Sequence, residues 1–210
     1  MGDRVGFFVG ARYTGAVLTE IVDNAPPLQV RTMALKSTIF RVELQIADLD
    51  RNYYQNHTLT VARHPSETDE RMMVRVLAFA LYAGEALSFG KGLSSEDEPD
   101  LWARDLTGAI DLWIEVGLPD EKRIRRACGR ARQVVVVTYG GRVADLWWQQ
   151  NKAALQKQGS LTVINLAAED SRVLATFAAR GMQLQCTLQD GELWFIVDGE
   201  NVRIAPEIRL

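Results

Sequence analysis

At 210 residues with 47% hydrophobic side chains, the chain is long enough to bury a substantial single core, and nothing in its composition requires two domains. With 24 Lys and Arg against 27 Asp and Glu the formal charge is −3, which excludes an extended surface for coating nucleic acid and leaves room for a local basic patch. No apolar run approaches the roughly 20 residues that span a bilayer, and no basic-then-apolar signal opens the chain, so no membrane contact and a cytoplasmic location are expected.

Residues 1–32 stand apart from the rest of the chain. Two short apolar runs, 5–10 and 16–22, suit a strand or a helical turn, and Pro26-Pro27 breaks whatever precedes it. The expected organisation is an N-terminal extension over 1–32 and a domain over 33–210. In that domain Phe40, Val42, Leu44 and Ile46 alternate with polar residues as a half-buried strand, residues 48–52 turn the chain, and a second strand lies near 58–62. Ser66 after Pro65 suits an N-cap, and the apolar segment to Leu87 predicts a central helix with Glu67 and Glu70 on the stripe of Val74, Leu77 and Leu81.

Residues 98–117 predict a hairpin about a two-residue turn at Thr107-Gly108, where Gly supplies the positive φ that tight turns need. Counting outward pairs Arg104 with Asp111, Trp102 with Trp113 and Asp100 with Glu115, while Leu101, Ala103, Ile110, Leu112, Ile114 and Val116 form the core face, with Asp105 its one misfit. Two carboxylates are thereby set opposite each other, a conflict that a hard divalent cation would resolve. The same spacing also suits acids solvated at strand ends.

Pro119 and Asp120 then open a predicted helix over 120–133, with Ile124, Ala127, Cys128 and Ala131 inward and Lys122, Arg123, Arg125, Arg126, Arg130 and Arg132 on the remaining surface. Such a basic face can meet phosphates or simply be solvated. Residues 134–139 read as a buried strand, 142–156 as a helix with Val143, Leu146 and Trp147 inward, and 161–166 as another buried strand. A helix over 171–180 is expected to stop at Gly181. The alternation of Met182, Leu184, Cys186 and Leu188 begins a series of strands turned at Asp190-Gly191 and Asp198-Gly199. Cys128 and Cys186 both fall on inward faces and read as buried thiols. The fold class is therefore α/β, a mixed sheet with flanking helices. His57 and His64, the only histidines, lie in no triad-like spacing.

Asp100 and Glu115-Val116-Gly117 on adjacent strands, before a helix and the strand 134–137, resemble the PD-(D/E)xK nuclease core. A closer likeness is carried by Met33-Ala34-Leu35-Lys36, Gln45-Ile46-Ala47-Asp48, the run His64-Pro65-Ser66-Glu67-Thr68-Asp69-Glu70-Arg71-Met72-Met73, and Glu98-Pro99-Asp100-Leu101-Trp102: from Met33 onward the chain resembles the YaeQ family. These resemblances imply a variant of the nuclease core in which Asp100 and Glu115 hold magnesium or manganese, and Glu67 adds the carboxylate that many such nucleases supply from their first helix. The nuclease lysine, two residues beyond the second acid, is here Gly117, whose side chain can neither orient a water nor stabilise a developing charge. Lys122 is the expected stand-in, with Lys91 a second candidate.

Two functions are compatible with these readings. One is a metal-dependent nuclease or phosphodiesterase. The other is a catalytically inactive module of the same fold that binds nucleic acid or protein. Trp102 and Trp113, beside the acids, would suit a stacked base in either case.

Overall fold

The computed structural model describes residues 37–91 and 97–210; the expected extension over 1–32 and the Met33–Lys36 motif lie outside them. Strands β1 (Thr38–Asp48) and β2 (Tyr53–Arg63) pair antiparallel in unbroken register through the turn at 49–52, where Asn52 takes a φ of 53°. The alternation of β1 is fully realised: Phe40, Val42, Leu44 and Ile46 are buried and Arg41, Glu43 and Gln45 are exposed. On its other side β1 runs parallel to β8 (Gly181–Gln189), which continues antiparallel into β9 (Glu192–Val197) and β10 (Glu200–Ile204). Asp190, Gly191, Asp198 and Gly199 all have positive φ, as two-residue hairpin turns demand.

A second sheet has the order β11-β7-β6-β5-β4-β3. It contains β3 (Leu87–Phe89), β4 (Leu101–Arg104), β5 (Ile110–Val116), β6 (Ala131–Thr138), β7 (Leu161–Asn165) and β11 (Glu207–Ile208). Strands β5, β6 and β7 are parallel, joined by α2 (Glu121–Cys128) and α3 (Arg142–Leu155). The single mixed sheet expected from sequence is thus two mixed sheets, because β1 finds its second neighbour some 140 residues downstream, a distance no local pattern reports. Helices α1 (Asp69–Tyr82) and α4 (Ala168–Thr176) share one apolar core with both sheets, through Met72, Val76, Leu77 and Leu174 among others. A smaller core under α2 and α3 joins Ile124, Ala127, Trp147 and Leu155 to Trp113, Val134 and Val136. No helix among the described residues is long and apolar enough to cross a membrane.

Several boundaries differ from the expectations for identifiable reasons. Thr68, not Ser66, caps α1, its hydroxyl accepting from Arg71 N at 3.1 Å, while the Ser66 hydroxyl meets His64 Nδ1 at 2.6 Å. The first helix stops at Tyr82, before the unforeseen β3. Helix α2 ends at Cys128, with Gly129 as its cap, so Ala131 and Arg132 already belong to β6. Helix α4 begins and ends a few residues early, and Gly181 opens β8 instead of stopping a helix. On α3, Ala144, Trp147 and Leu155 face inward, whereas Val143 and Leu146 are 62% and 46% exposed. Both cysteines are free thiols; Cys186 is buried, with its pKa pushed up to about 12 by burial, and Cys128 is half-buried.

The β1–β2 hairpin carries a titrating histidine. His57 shares a 2.9 Å hydrogen bond with the Tyr53 hydroxyl and meets the Phe79 ring edge-on, and burial holds its pKa below the ordinary 6.5. The unfolded chain therefore takes up a proton here at a higher pH than the folded one. Stability contributed by neutral His57 is present above 6.5 and is lost as pH falls through the unfolded value toward the folded one. Denaturant titrations of wild type and His57→Gln across that window should show a shallower pH slope in the variant, and parallel slopes would remove His57 from the acid sensitivity.

Candidate carboxylate and arginine site

The hairpin of β4 and β5 keeps the expected register where it matters: Leu101 pairs with Ile114, Trp102 with Trp113 and Ala103 with Leu112. At its tip the turn is one residue longer than expected. Asp105 N donates to Ala109 O at 2.9 Å, and the Asp105 carboxylate accepts from Thr107 N, Thr107 Oγ1 and Ala109 N, so three residues form the loop and Gly108 supplies the positive φ. The extra residue is absorbed as a bulge that sets Arg104 opposite Ile110. Arg104 therefore lies over the Trp102 ring at 3.7 Å, and Asp111 pairs with Arg132 at 2.6 Å, in place of the expected Arg104–Asp111 pair.

At the open end of the hairpin the two acids part. Asp100 precedes β4, and its carboxylate swings back to accept the Val116 amide at 2.8 Å, closing the ladder where a backbone carbonyl would otherwise serve. Glu115 stays on the α2 side, accepting Trp113 Nε1 at 2.7 Å and Arg123 Nε at 2.9 Å. Asp100 is 1% and Glu115 3% exposed, so neither is a solvated strand-end acid. Burial, opposed by Arg123 and Trp113 and reinforced by the nearby charge of Asp100, raises the Glu115 carboxyl above its ordinary range.

Two arginines of α1 complete the cluster. Arg71 Nη2 donates to both oxygens of Asp100, at 2.8 and 2.9 Å, and to Val116 O at 3.2 Å, while its Nη1 reaches Glu67 Oε1 at 2.9 Å. Arg75 Nη1 lies 3.1 Å from both Glu67 oxygens and donates to Ala62 O; its Nε has no hydrogen-bond partner, with Asp100 Oδ1 the acid beside it at 3.6 Å. Glu67 is held from a third side by the His64 amide at 3.1 Å. Burial alone would lower the pKa of Arg71, but Asp100 and Glu67 hold it above its ordinary value. Tyr139, at the end of β6 near the same charges, is pushed up to about 12 by burial. Glu70 turns away from this cluster and accepts the buried Ser171 hydroxyl at 2.6 Å, tying α1 to α4.

The structure thus brings Glu67 and Asp100 together through arginines and keeps Glu115 close behind, under α2. Lys122 is exposed and forms no ion pair with any described residue; its neighbour Arg123 is the cation that reaches Glu115. Lys91 pairs with Glu98 at 3.1 Å. Gly117 has a φ of 106°, a conformation that lysine would adopt only under strain. The expected divalent ion meets donors of the right kind, since carboxylate and carbonyl oxygens suit a hard cation, but Arg71 Nη2 stands among those oxygens. With Arg71 in place the ion does not fit. No group of three or more His, Cys, Asp or Glu among the described residues is arranged to hold a metal. The arginines were the residues that sequence reasoning missed. Their signal was Arg75 inside the apolar run from Met72 to Ala80, where a buried cation requires a buried acid.

A family profile described as YaeQ protein matches residues 33–206, which include every residue of this cluster. The chain belongs to the YaeQ family. A protein called uncharacterized protein YaeQ from Escherichia coli K12 is 48% identical over 172 residues, covering 82% of this chain and 95% of its own length; one from Salmonella typhi matches to the same extent. The crystal structure of YaeQ protein from Xanthomonas axonopodis pv. citri superposes with a TM-score of 0.80 at 50% identity, covering 82% of this chain and 98% of the other. That of Pseudomonas syringae gives the same TM-score at 33% identity, covering 83% and 96%. YaeQ structures therefore share this arrangement of two mixed sheets and flanking helices.

The outer surface of α2 is the remaining feature of the site. Lys122, Arg125 and Arg126 on the helix, Arg130 in the turn after it and Arg132 at the start of β6 are all exposed. Arg125 pairs with Glu121, Arg130 with Asp97, and Arg132 with Asp105 and Asp111, whereas Arg126, like Lys122, forms no ion pair with a described residue. Beneath this surface Trp113 is buried and meets the half-buried Trp102 edge-on at 6.3 Å, with Arg104 over a face of the Trp102 ring.

Proposed function

We propose that this YaeQ protein has a nuclease-like core that binds nucleic acid without cutting it, through the basic outer face of α2. One observation carries the reading: each buried acid of the cluster already has an arginine partner, with Glu67 and Asp100 on Arg71 and Arg75 and Glu115 on Arg123. Two acids facing two arginines, and a third acid facing a third, are charge-balanced without an ion. Gly117 in the lysine position supports the same reading, because no side chain there can act on a scissile phosphate. Lys122 and Arg126, which form no ion pair with a described residue, would neutralise phosphates, which gives binding that is salt-dependent and indifferent to sequence.

A second reading, a metal-dependent phosphodiesterase using Asp100, Glu115 and Glu67 with Lys122, is favoured by one feature. Asp100 lies near enough for its charge to raise the Glu115 pKa, the conflict that a divalent ion relieves. One experiment separates the two. Labelled single- and double-stranded DNA and RNA are incubated with the protein and manganese while anisotropy and chain length are followed over a salt series. The binding reading expects intact oligonucleotide and salt-sensitive association, with Lys122→Ala and Arg126→Ala each reducing the slope of log K against log salt by about 1. Manganese-dependent cleavage abolished by Glu115→Gln would decide for the phosphodiesterase, and neither binding nor cleavage would remove nucleic acid from both.

A further inference from the structure

We propose that Arg71 is a built-in substitute for a divalent cation, so that removing its guanidinium turns a site without metal affinity into one that binds manganese or magnesium. The inference rests on the reading that the cluster holds no resident ion. The surroundings of a single atom carry it. Arg71 Nη2 has three oxygens around it, Asp100 Oδ1 at 2.8 Å, Asp100 Oδ2 at 2.9 Å and Val116 O at 3.2 Å, and Glu67 Oε1 completes the group on the adjoining Nη1. One carboxylate and a backbone carbonyl around Nη2, with a second carboxylate on the adjoining Nη1, are the donors that hard divalent ions select, and such ions need oxygens at about 2.0–2.6 Å, so the cluster must contract around an ion that takes the guanidinium's place.

The cage does not depend on the guanidinium that fills it. Asp100 is oriented by the Val116 amide at 2.8 Å, and Glu67 by the His64 amide and Arg75 Nη1, each at 3.1 Å. These bonds survive loss of the Arg71 side chain, so the oxygens stay aimed at the space the guanidinium leaves. Charge balance points the same way. With both arginines present, Glu67 and Asp100 are neutralised, and an added divalent ion would leave the buried cluster strongly positive. Without Arg71 the cluster carries one net negative charge, which an incoming cation offsets. Arg71 is 14% exposed at its side chain, so solvent ions have a path to the position it holds.

The test uses metal alone and needs no activity. Wild type, Arg71→Gln and the double variant Arg71→Gln/Asp100→Asn are titrated with Mn2+ by calorimetry and followed by thermal unfolding. We expect no response in wild type, Mn2+ binding at least about tenfold tighter in Arg71→Gln with a Tm rise of about 5–10 °C at a concentration near 100 times Kd, and loss of that response in the double variant. A silent Arg71→Gln, an equal response in wild type, or a response surviving Asp100→Asn would each overturn the proposal. If Arg71→Gln folds only when Mn2+ is present, that dependence supports it. If it does not fold at all, Arg71→Lys replaces it: a single ammonium cannot span Asp100 and Glu67, so Mn2+ should displace it and raise Tm, and no rise would overturn the proposal. Wild type that ignores both Mn2+ and oligonucleotides would remove the proposed function alone, and Arg71→Gln that ignores Mn2+ while wild type binds oligonucleotides would remove the cation assignment alone.

Discussion

Asp100→Ala should cost the fold about 3–5 kcal/mol, measured as a fall in the urea midpoint at unchanged slope. The loss is large because one small side chain satisfies three partners. Arg71 Nη2 would lose both of its carboxylate oxygens, Arg75 would keep only Glu67 as a neighbouring acid, and the Val116 amide at the end of β5 would have no acceptor. An unpaired buried amide alone costs about 1–3 kcal/mol, and two buried guanidinium groups left to share the single charge of Glu67 add to it. Since a domain of this size is stable by only about 5–15 kcal/mol, the variant would lie near its unfolding threshold. Asp100→Asn should be milder, because its amide oxygen can still accept from Val116 N and Arg71 Nη2, although the charge and one acceptor for Arg71 are lost. If Asp100→Ala unfolds at the wild-type midpoint, Arg71 has found solvent and the cluster is not a unit.

What the sequence reveals of this fold depends on the range of the interaction. The alternation in β1 and β8 and the turn residues Asp190-Gly191 and Asp198-Gly199 were legible because each is decided within a few residues of chain. So was the pairing of Trp102 with Trp113, fixed by which face of the hairpin is apolar. The bulge at Asp111 was not, since a three-residue turn closed by the Asp105 side chain leaves nearly the same pattern as the shorter one. The apolar stripe of α3 misled for a related reason. Val143 and Leu146 lie on the same helix as Trp147, but Trp147 sets the inward direction by donating to Pro119 O at 2.9 Å and packing over β6. Of the candidate site, the three acids were legible as residue types and their partners were not. Arg71 is 29 positions from Asp100, and only the packing of α1 against β5 brings them together. The basic run of α2 likewise concealed that Arg123 is the cation that turns inward to Glu115.

The partnership of Glu67 with Arg75 predicts an effect that neither residue would suggest alone. Arg75→Met should cost about 3–5 kcal/mol, because it takes a donor from both oxygens of Glu67, which is 6% exposed, and leaves it the His64 amide and a single remaining cation in Arg71. Glu67→Met should cost a comparable amount by leaving the buried Arg75 with only Ala62 O and the 3.6 Å approach to Asp100. The double variant Glu67→Met/Arg75→Met removes one acid and one base together. Arg71 and Asp100 then remain as a balanced pair, and two methionines fill much of the vacated space with flexible apolar side chains. Breaking a buried pair is far costlier than replacing it with apolar residues of similar volume, so the double variant should be less destabilised than the sum of the single changes by about 1–3 kcal/mol. Denaturant midpoints for the four proteins give this coupling directly. Additivity within about 0.5 kcal/mol would mean that Glu67 and Arg75 are stabilised separately by their surroundings, and the four-residue cluster would then reduce to the contact between Arg71 and Asp100.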